Sequence, residues 1–315
     1  MSAIASASIG SRSAVEAALR GEKHDVRGRV FEALLLLGLL LSLAILVILL
    51  VSILVDAWPV LSERGWDFVR SDSSRIASHA GVWQGLIGSI ILIAFVAVFA
   101  IPLGVAAAVY LQEYARDSRM NRILVTNIRN LAGVPSIVYG ILGLVVFVQA
   151  LRWITGPDSF GRSYISGGLT LAVLVMPFII IITMEALRAV PTGIREAAYG
   201  VGATRWEVVR SHVLPYAAPG VFTGCILALA RAFGETAPLL LVGAVTGYLS
   251  TGSQSFLETL QGKYTALPTQ VFAWSQYPGE DWAQNTAAAI VVLLVAILVV
   301  NFVAILLRNR YERKW

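Results

Sequence analysis

The sequence is poor in the residues that most proteins use for chemistry. It has one cysteine, Cys225, three histidines and only three lysines, Lys23, Lys263 and Lys314. A lone thiol in an apolar run excludes a disulfide framework and leaves the redox compartment open. No grouping of His, Cys and carboxylates has the spacing of a metal site, and no Ser/His/Asp or paired-carboxylate arrangement points to work on a covalent bond. Charge is scarce as well: 14% of the 315 residues, against roughly 25% in soluble domains. What replaces it is apolar: 57% of the chain is hydrophobic. The chain is read as an all-α integral membrane protein, whose net charge of +5 marks orientation in a bilayer and not nucleic acid.

A spanning helix needs about 20 apolar residues. Uncharged runs meet that length at Ala33–Val55, Asn130–Leu151, Ser163–Met184 and Trp282–Leu307; a further span is expected at Val82–Leu111 and a sixth at Ala217–Val245. Seventeen of the 24 Lys and Arg fall in the odd-numbered connecting segments, six in the even ones, and Arg231 lies inside a span. Positive residues favour the cytoplasm, so six helices with both termini cytoplasmic are expected. The organisation follows: a tail over 1–30, a first anchor helix over 31–56, a five-helix core over 82–307 with a polar loop at 185–216, and a basic tail over 308–315. The first run exceeds the length of a cleaved signal and reads as a retained anchor.

The loop before the last two spans is patterned. After the break Pro191-Thr192-Gly193, Ile194, Ala197, Ala198 and Val201 recur at helical spacing, with Arg195 and Glu196 between them. Gly200 and Gly202 end or bend that helix. Its small residues and charges suit docking into a groove of a cytoplasmic partner; a surface helix without a partner fits the pattern equally.

The stretch RAFGETAPLL (231–240) puts Arg231 and Glu235 into an otherwise greasy segment. A charge at the bilayer centre costs on the order of 3 kcal/mol and commonly faces a cavity or a partner. Arg231, 14 residues beyond Ala217, lies ~21 Å along the helix. Glu235 shares its face four positions on. Pro238 cannot donate a backbone hydrogen bond and crowds the carbonyl of Gly234, so a kink is expected at Gly234–Pro238. The features fit a polar spot on a translocation path, where an Arg fork can hold two oxygens of an oxyanion. The competing reading is a salt bridge that locks helix packing.

Glu196-Ala197-Ala198, then Gly202, then Leu214-Pro215, resembles the EAA loop of ABC-importer permeases, with His212 where that signature has Ile. LALARAFGETAPLLLVGA, LAGVPSIVYGILGL and TALPTQVFAW resemble the phosphate importer permeases of the PstA type. The resemblance implies the MetI-like arrangement in a bacterial plasma (inner) membrane. It implies a sister permease of the PstC type, two ATP-binding subunits of the PstB type and an extracytoplasmic phosphate-binding protein of the PstS type. It also implies that Arg231, Glu235 and Thr236 belong to the phosphate pathway, and that Glu196, Ala197, Ala198 and Gly202 couple to the ATPase. No lysine here stands in a Walker A motif, so ATP and magnesium would sit on the partner chain and no cofactor on this one. Sulfate or molybdate as cargo, or a subunit that reports phosphate status, are the alternatives. A protonated oxyanion can donate to Glu235 and fully ionised sulfate cannot, which favours phosphate.

Other marks are structural in this reading. Pro135 opens the third span, Pro177 kinks the fourth, and Gly220 and Gly224 allow close helix contact. Trp66, Trp83, Trp153, Trp274 and Trp282 are expected at the membrane edges. The outer loop Thr246–Asp281 is read as a receiver for the binding protein or a plug, and its single cation, Lys263, as a sparing of charge that avoids holding anions.

Overall fold

The computed structural model describes residues 26–244 and 255–311, and among these all regular structure is helical. In chain order the helices are α1 (Val26–Glu63), α2 (Gly65–Arg70), α3 (Trp83–Val109), α4 (Arg119–Ala132), α5 (Ser136–Gly143), α6 (Arg152–Thr155) and α7 (Tyr164–Arg188). They continue as α8 (Thr192–Gly200), α9 (Arg205–Val208), α10 (Leu214–Gly234), α11 (Ala237–Val242), α12 (Phe256–Gln261), α13 (Leu267–Trp274) and α14 (Glu280–Tyr311). Wide π-helical turns at Tyr110–Tyr114, Leu144–Ala150 and Val209–Val213 extend α3, extend α5 and join α9 to α10.

Packing divides the chain into two units at Ser52. The described part of the first is the helical stretch 26–52, with leucines such as Leu34, Leu37 and Leu41 exposed all round it. A helix apolar on every side is one built for lipid. The second unit, from Ile53, holds the rest of α1 and all later helices. Among the described residues five helices are long and apolar enough to cross a membrane, or six if one bent pair of helices counts as a single crossing.

That bent pair differs from the single straight span expected at Asn130–Leu151. α4 ends at Ala132, and α5 starts at Ser136 after a turn of 101°. Pro135 is the cause: its ring fixes φ at −55° and forces Val134 out of the helical region. The Tyr139 hydroxyl donates to the Leu131 carbonyl across the elbow at 2.9 Å. The arginine-bearing stretch before the elbow is no loose loop. Ser118 caps it by accepting the Asn121 N–H, and exposed Met120, Ile123 and Leu124 run beside Arg119 and Arg122.

α7 is the hub and runs unbroken through Pro177. Three helices meet it through glycine. A Cβ on Gly104 of α3 would lie 2.8 Å from Ile179 Cγ2, one on Gly143 of α5 2.2 Å from Thr170 Oγ1, and one on Gly224 of α10 2.3 Å from Ile182 Cγ2. The connection between α11 and α14 is mostly structure too. Tyr264 to Gln270 are fully buried, the Leu267 N–H donates to Ser89 at 2.8 Å, and Gln270 donates to the Gly81 carbonyl at 2.9 Å. Trp274, expected at a membrane edge, is buried between Phe68 and Trp282 because α13 folds back into the protein. Tyr248 and the other residues of 246–254 lie outside the described residues.

Gly224→Ala is expected to destabilise the purified protein by ~1–3 kcal/mol, since the new Cβ would meet Ile182 at Cγ2 and Cβ, near the base of a β-branched side chain with restricted χ1. Gly38→Ala, with nothing within 4 Å, should leave its thermal unfolding midpoint unchanged.

Candidate functional site

α10 stops at Gly234. Glu235 is extended (φ −74°, ψ 122°), and the chain turns helical again at Ala237, with Pro238 in the first turn of α11. A helix continued through this point would press the proline ring on the Gly234 carbonyl and lose a hydrogen bond, so it breaks just before. Arg231 occupies the last turn of α10, where the unpaired carbonyls favour a cation. Its Nε donates to Glu235 Oε1 at 3.4 Å, the single contact between them, with the side chains 39% and 16% exposed. The pair is loose: most of the guanidinium's donors stay unspent on Glu235.

The backbone around the pair is firm. A Cβ on Gly140 would fall 2.7 Å from Pro238 Cα, so only glycine lets α5 pack on α11. Tyr264 donates to the Leu239 carbonyl at 3.2 Å, and Gly243 closes α11 at φ +98°, a conformation that favours glycine. Thr236, half-buried, is the residue before α11. Arg231 lies 17 residues beyond Leu214, ~26 Å along α10 and away from the polar loop.

In that loop, the four positions of the sequence pattern divide between two faces. Ile194 and Ala198 turn inward, Ala198 packing in a cluster with Leu187, Val190, Val208, Val213 and Ala217. Glu196, Ala197 and Val201 face outward, Val201 being 86% exposed. Gly202 has a geometric task. At φ +85° it ends α8 with the Ala203 N–H bonded to the Ala198 carbonyl and its own N–H to that of Tyr199. His212, at the position of the signature's Ile, is exposed, and its neighbour Val213 fills the core.

Arg195, which the sequence pattern offered as a charge for a docking partner, turns instead into the protein. Its Nη2 meets Glu113 Oε1 at 2.8 Å and the Leu187 carbonyl at 2.9 Å, and its Nη1 meets the Val190 carbonyl at 2.8 Å. The ion pair is largely buried, 20% and 10% exposed. Arg205 donates to the Glu113 carbonyl, and its guanidinium lies 5.1 Å over the Tyr114 ring. A capping box opens α9, Thr204 holding the Glu207 carboxyl below its usual range. The loop is thus bolted to the ends of both α3 and α7. Arg195 and Glu113 stand 82 residues apart, so no local spacing joins them. Among the described residues no group of His, Cys, Asp and Glu could hold a metal ion.

A helical membrane bundle with a broken, charge-bearing helix and a short helix braced at its polar end has the make-up of a transport permease. The chain belongs to the binding-protein-dependent transport system inner membrane component family, whose model matches residues 100–315; it is an ABC-importer permease. It is 29% identical over 288 residues to the phosphate transport system permease protein PstA 1 of Mycobacterium tuberculosis, covering 91% of this chain and 90% of that protein. It is 31% identical over 261 residues to the phosphate transport system permease protein PstC of Mesorhizobium japonicum, covering 77% and 79%. A chain of a bacterial alginate ABC transporter crystal structure shares the fold, with a TM-score of 0.65 at 16% identity over 94% of this chain and 99% of that one.

Glu113→Ala strands Arg195 in a mostly buried site and is expected to loosen the loop by on the order of 3 kcal/mol. Asp117→Ala, which breaks the exposed pair with Arg122 (3.4 Å), should cost under about 1 kcal/mol. Hydrogen exchange over residues 189–204 reads the difference: faster exchange in the first variant, none in the second.

Proposed function

We propose that this chain is the membrane permease subunit of an ATP-driven importer of inorganic phosphate, with both termini cytoplasmic. The observation that carries the reading is the Arg231–Glu235 pair, held by one 3.4 Å contact at a helix break within an apolar span. A structural salt bridge gains from tight geometry; a pair that must release its charges to a passing ion gains from loose geometry. Arg231 can fork two phosphate oxygens without losing its proton. Glu235 then accepts a hydrogen bond from a phosphate hydroxyl, which sulfate does not carry. Thr236 adds a hydroxyl beside the break. The phosphate-transport names of the two relatives support the same cargo.

The partners in this reading are a sister permease, two ATP-binding subunits that carry ATP and magnesium, and an extracytoplasmic phosphate-binding protein. The exposed face of α8, with Glu196 and Ala197, docks on the ATP-binding subunit. Ala198 and Gly202 work from the inner side, as packing and as the turn that fixes the helix. Motion of the docked loop passes through Arg195–Glu113 to α3 and through the Arg195 bonds to the end of α7, a connection too rigid to absorb it.

The test is uptake of labelled phosphate and labelled sulfate at low concentration in cells carrying the intact chain, Arg231→Gln or Glu196→Lys, at matched membrane levels. Phosphate uptake alone should depend on the chain and fall by at least about tenfold in both variants, the factor that ~1.4 kcal/mol makes. Normal transport by Arg231→Gln would reduce the pair to a structural salt bridge, and chain-dependent sulfate uptake would change the cargo.

A further inference from the structure

Away from the charged pair, three cations from two distant segments meet in one open cavity of about 640 Å³: Arg152 at the start of α6 and Arg162 just before α7, in one connection, and Lys263 just after α12. Gln149 and Ser159 share its lining, and no carboxylate does. Sequence position hides this, since Lys263 is the one cation of its own loop. We propose that Arg152, Arg162 and Lys263 form a receiving site for a phosphate-class oxyanion at the end of the molecule opposite the loop of α8. Its place on a transport route rests on the phosphate reading above; its chemistry does not.

The two ends of α7 supply the contrast. Near its C-terminal end a second polar cavity, of about 480 Å³, is lined by Arg122, Arg129 and Arg188. There every arginine is paired: Arg122 with Asp117 at 3.4 Å, Arg129 and Arg188 with Glu185 at 3.3 and 3.1 Å. Near its N-terminal end, no described carboxylate lies within ion-pair distance of Arg152 or Arg162. The two guanidinium groups repel each other, and the repulsion is relieved when an anion enters. Membrane topology sharpens the point. In the proposed orientation this is the outer face, where Lys and Arg are disfavoured, and three of the six that the chain places there converge on this cavity.

The site is also built. The Arg152 guanidinium lies 4.3 Å over the Phe160 ring and donates to the Pro157 carbonyl at 3.4 Å, which fixes its direction. The Arg162 stem packs against Gly243, where a Cβ would come 2.5 Å from Arg162 Cδ. Gly243 caps the far end of α11, and the near end of that six-residue helix, ~9 Å away, adjoins Glu235. An anion held between the three cations therefore waits one short helix from Arg231, and the two sites act in series.

The experiment uses the assembled transporter with its partner subunits in lipid nanodiscs, and inorganic phosphate as the probe. Acylation of Lys263 is followed by mass spectrometry, with Lys23 and Lys314 as internal controls. In zwitterionic lipid, phosphate at twice its dissociation constant should slow Lys263 acylation about threefold by mass action, against chloride at matched ionic strength. Arg162→Gln should raise the phosphate needed about tenfold, the factor that one lost charged contact makes. Protection without added phosphate in anionic nanodiscs only would support the same site with a lipid headgroup as the source. Equal acylation in phosphate and chloride overturns the proposal, as does protection by the ligand-free binding protein alone. A transporter that imports no phosphate but shows protected Lys263 removes the cargo reading and keeps the site; import with unprotected Lys263 removes the site alone.

Discussion

Everything in this chain depends on how closely other helices can approach one central helix. In a bilayer there is no hydrophobic force to push helices together, because lipid is as apolar as leucine. Contact must come from shape, and shape here means glycine: Gly104, Gly143 and Gly224 let three helices lie against α7 where any side chain would collide with Ile179, Thr170 or Ile182. α7 carries Arg162 next to one end and Glu185 with Arg188 near the other, so the geometry of both polar ends is inherited from the packing of its apolar middle.

The two ion pairs within partly buried surroundings divide the labour between them. Arg195–Glu113 is short, buried and reinforced by two backbone carbonyls, as suits a joint. Arg231–Glu235 is long, single and half-open, at a point where the helix has ended. The same two residue types thus make a tight, reinforced contact in one place and a loose one in the other. Geometry, more than composition, separates the two pairs.

Much of the fold was legible because span signals are strong: twenty uncharged residues in a row are rarely anything else. What stayed hidden had partners far along the chain or a pattern masked by charge. α4 reads as a loop because its arginines outweigh Met120, Ile123 and Leu124, although Ser118 is a sound cap. Pro135 was seen as a helix start, yet a start after a 101° elbow looks the same in sequence as one from a loop. Arg231 and Glu235 stood out against an apolar background. Arg195 did not, because the Glu113 that explains it comes 82 residues earlier, and the cavity of Arg152, Arg162 and Lys263 is assembled only by tertiary structure. The splitting of Ala197 from Ala198 between outer and inner faces follows from helical phase, which small residues on both sides obscure.

The three π-helical turns add a last point. In each, the backbone bonds skip one residue further than in an α-helix, as from Ala115 N–H to the Tyr110 carbonyl at 2.8 Å and from Leu151 N–H to that of Val146 at 2.9 Å. One residue turns an α-helix by about 100°, so such a turn works as a phase reset in the thread of a screw. The first reset carries Glu113 towards Arg195. The second ends just before Arg152, and the third lies between the loop of α8 and the helix of Arg231. Loss of one residue from any of them would leave a well-formed helix, yet rotate everything beyond it to face the wrong neighbour. In this molecule residue number along the helices is as strict a specification as residue type.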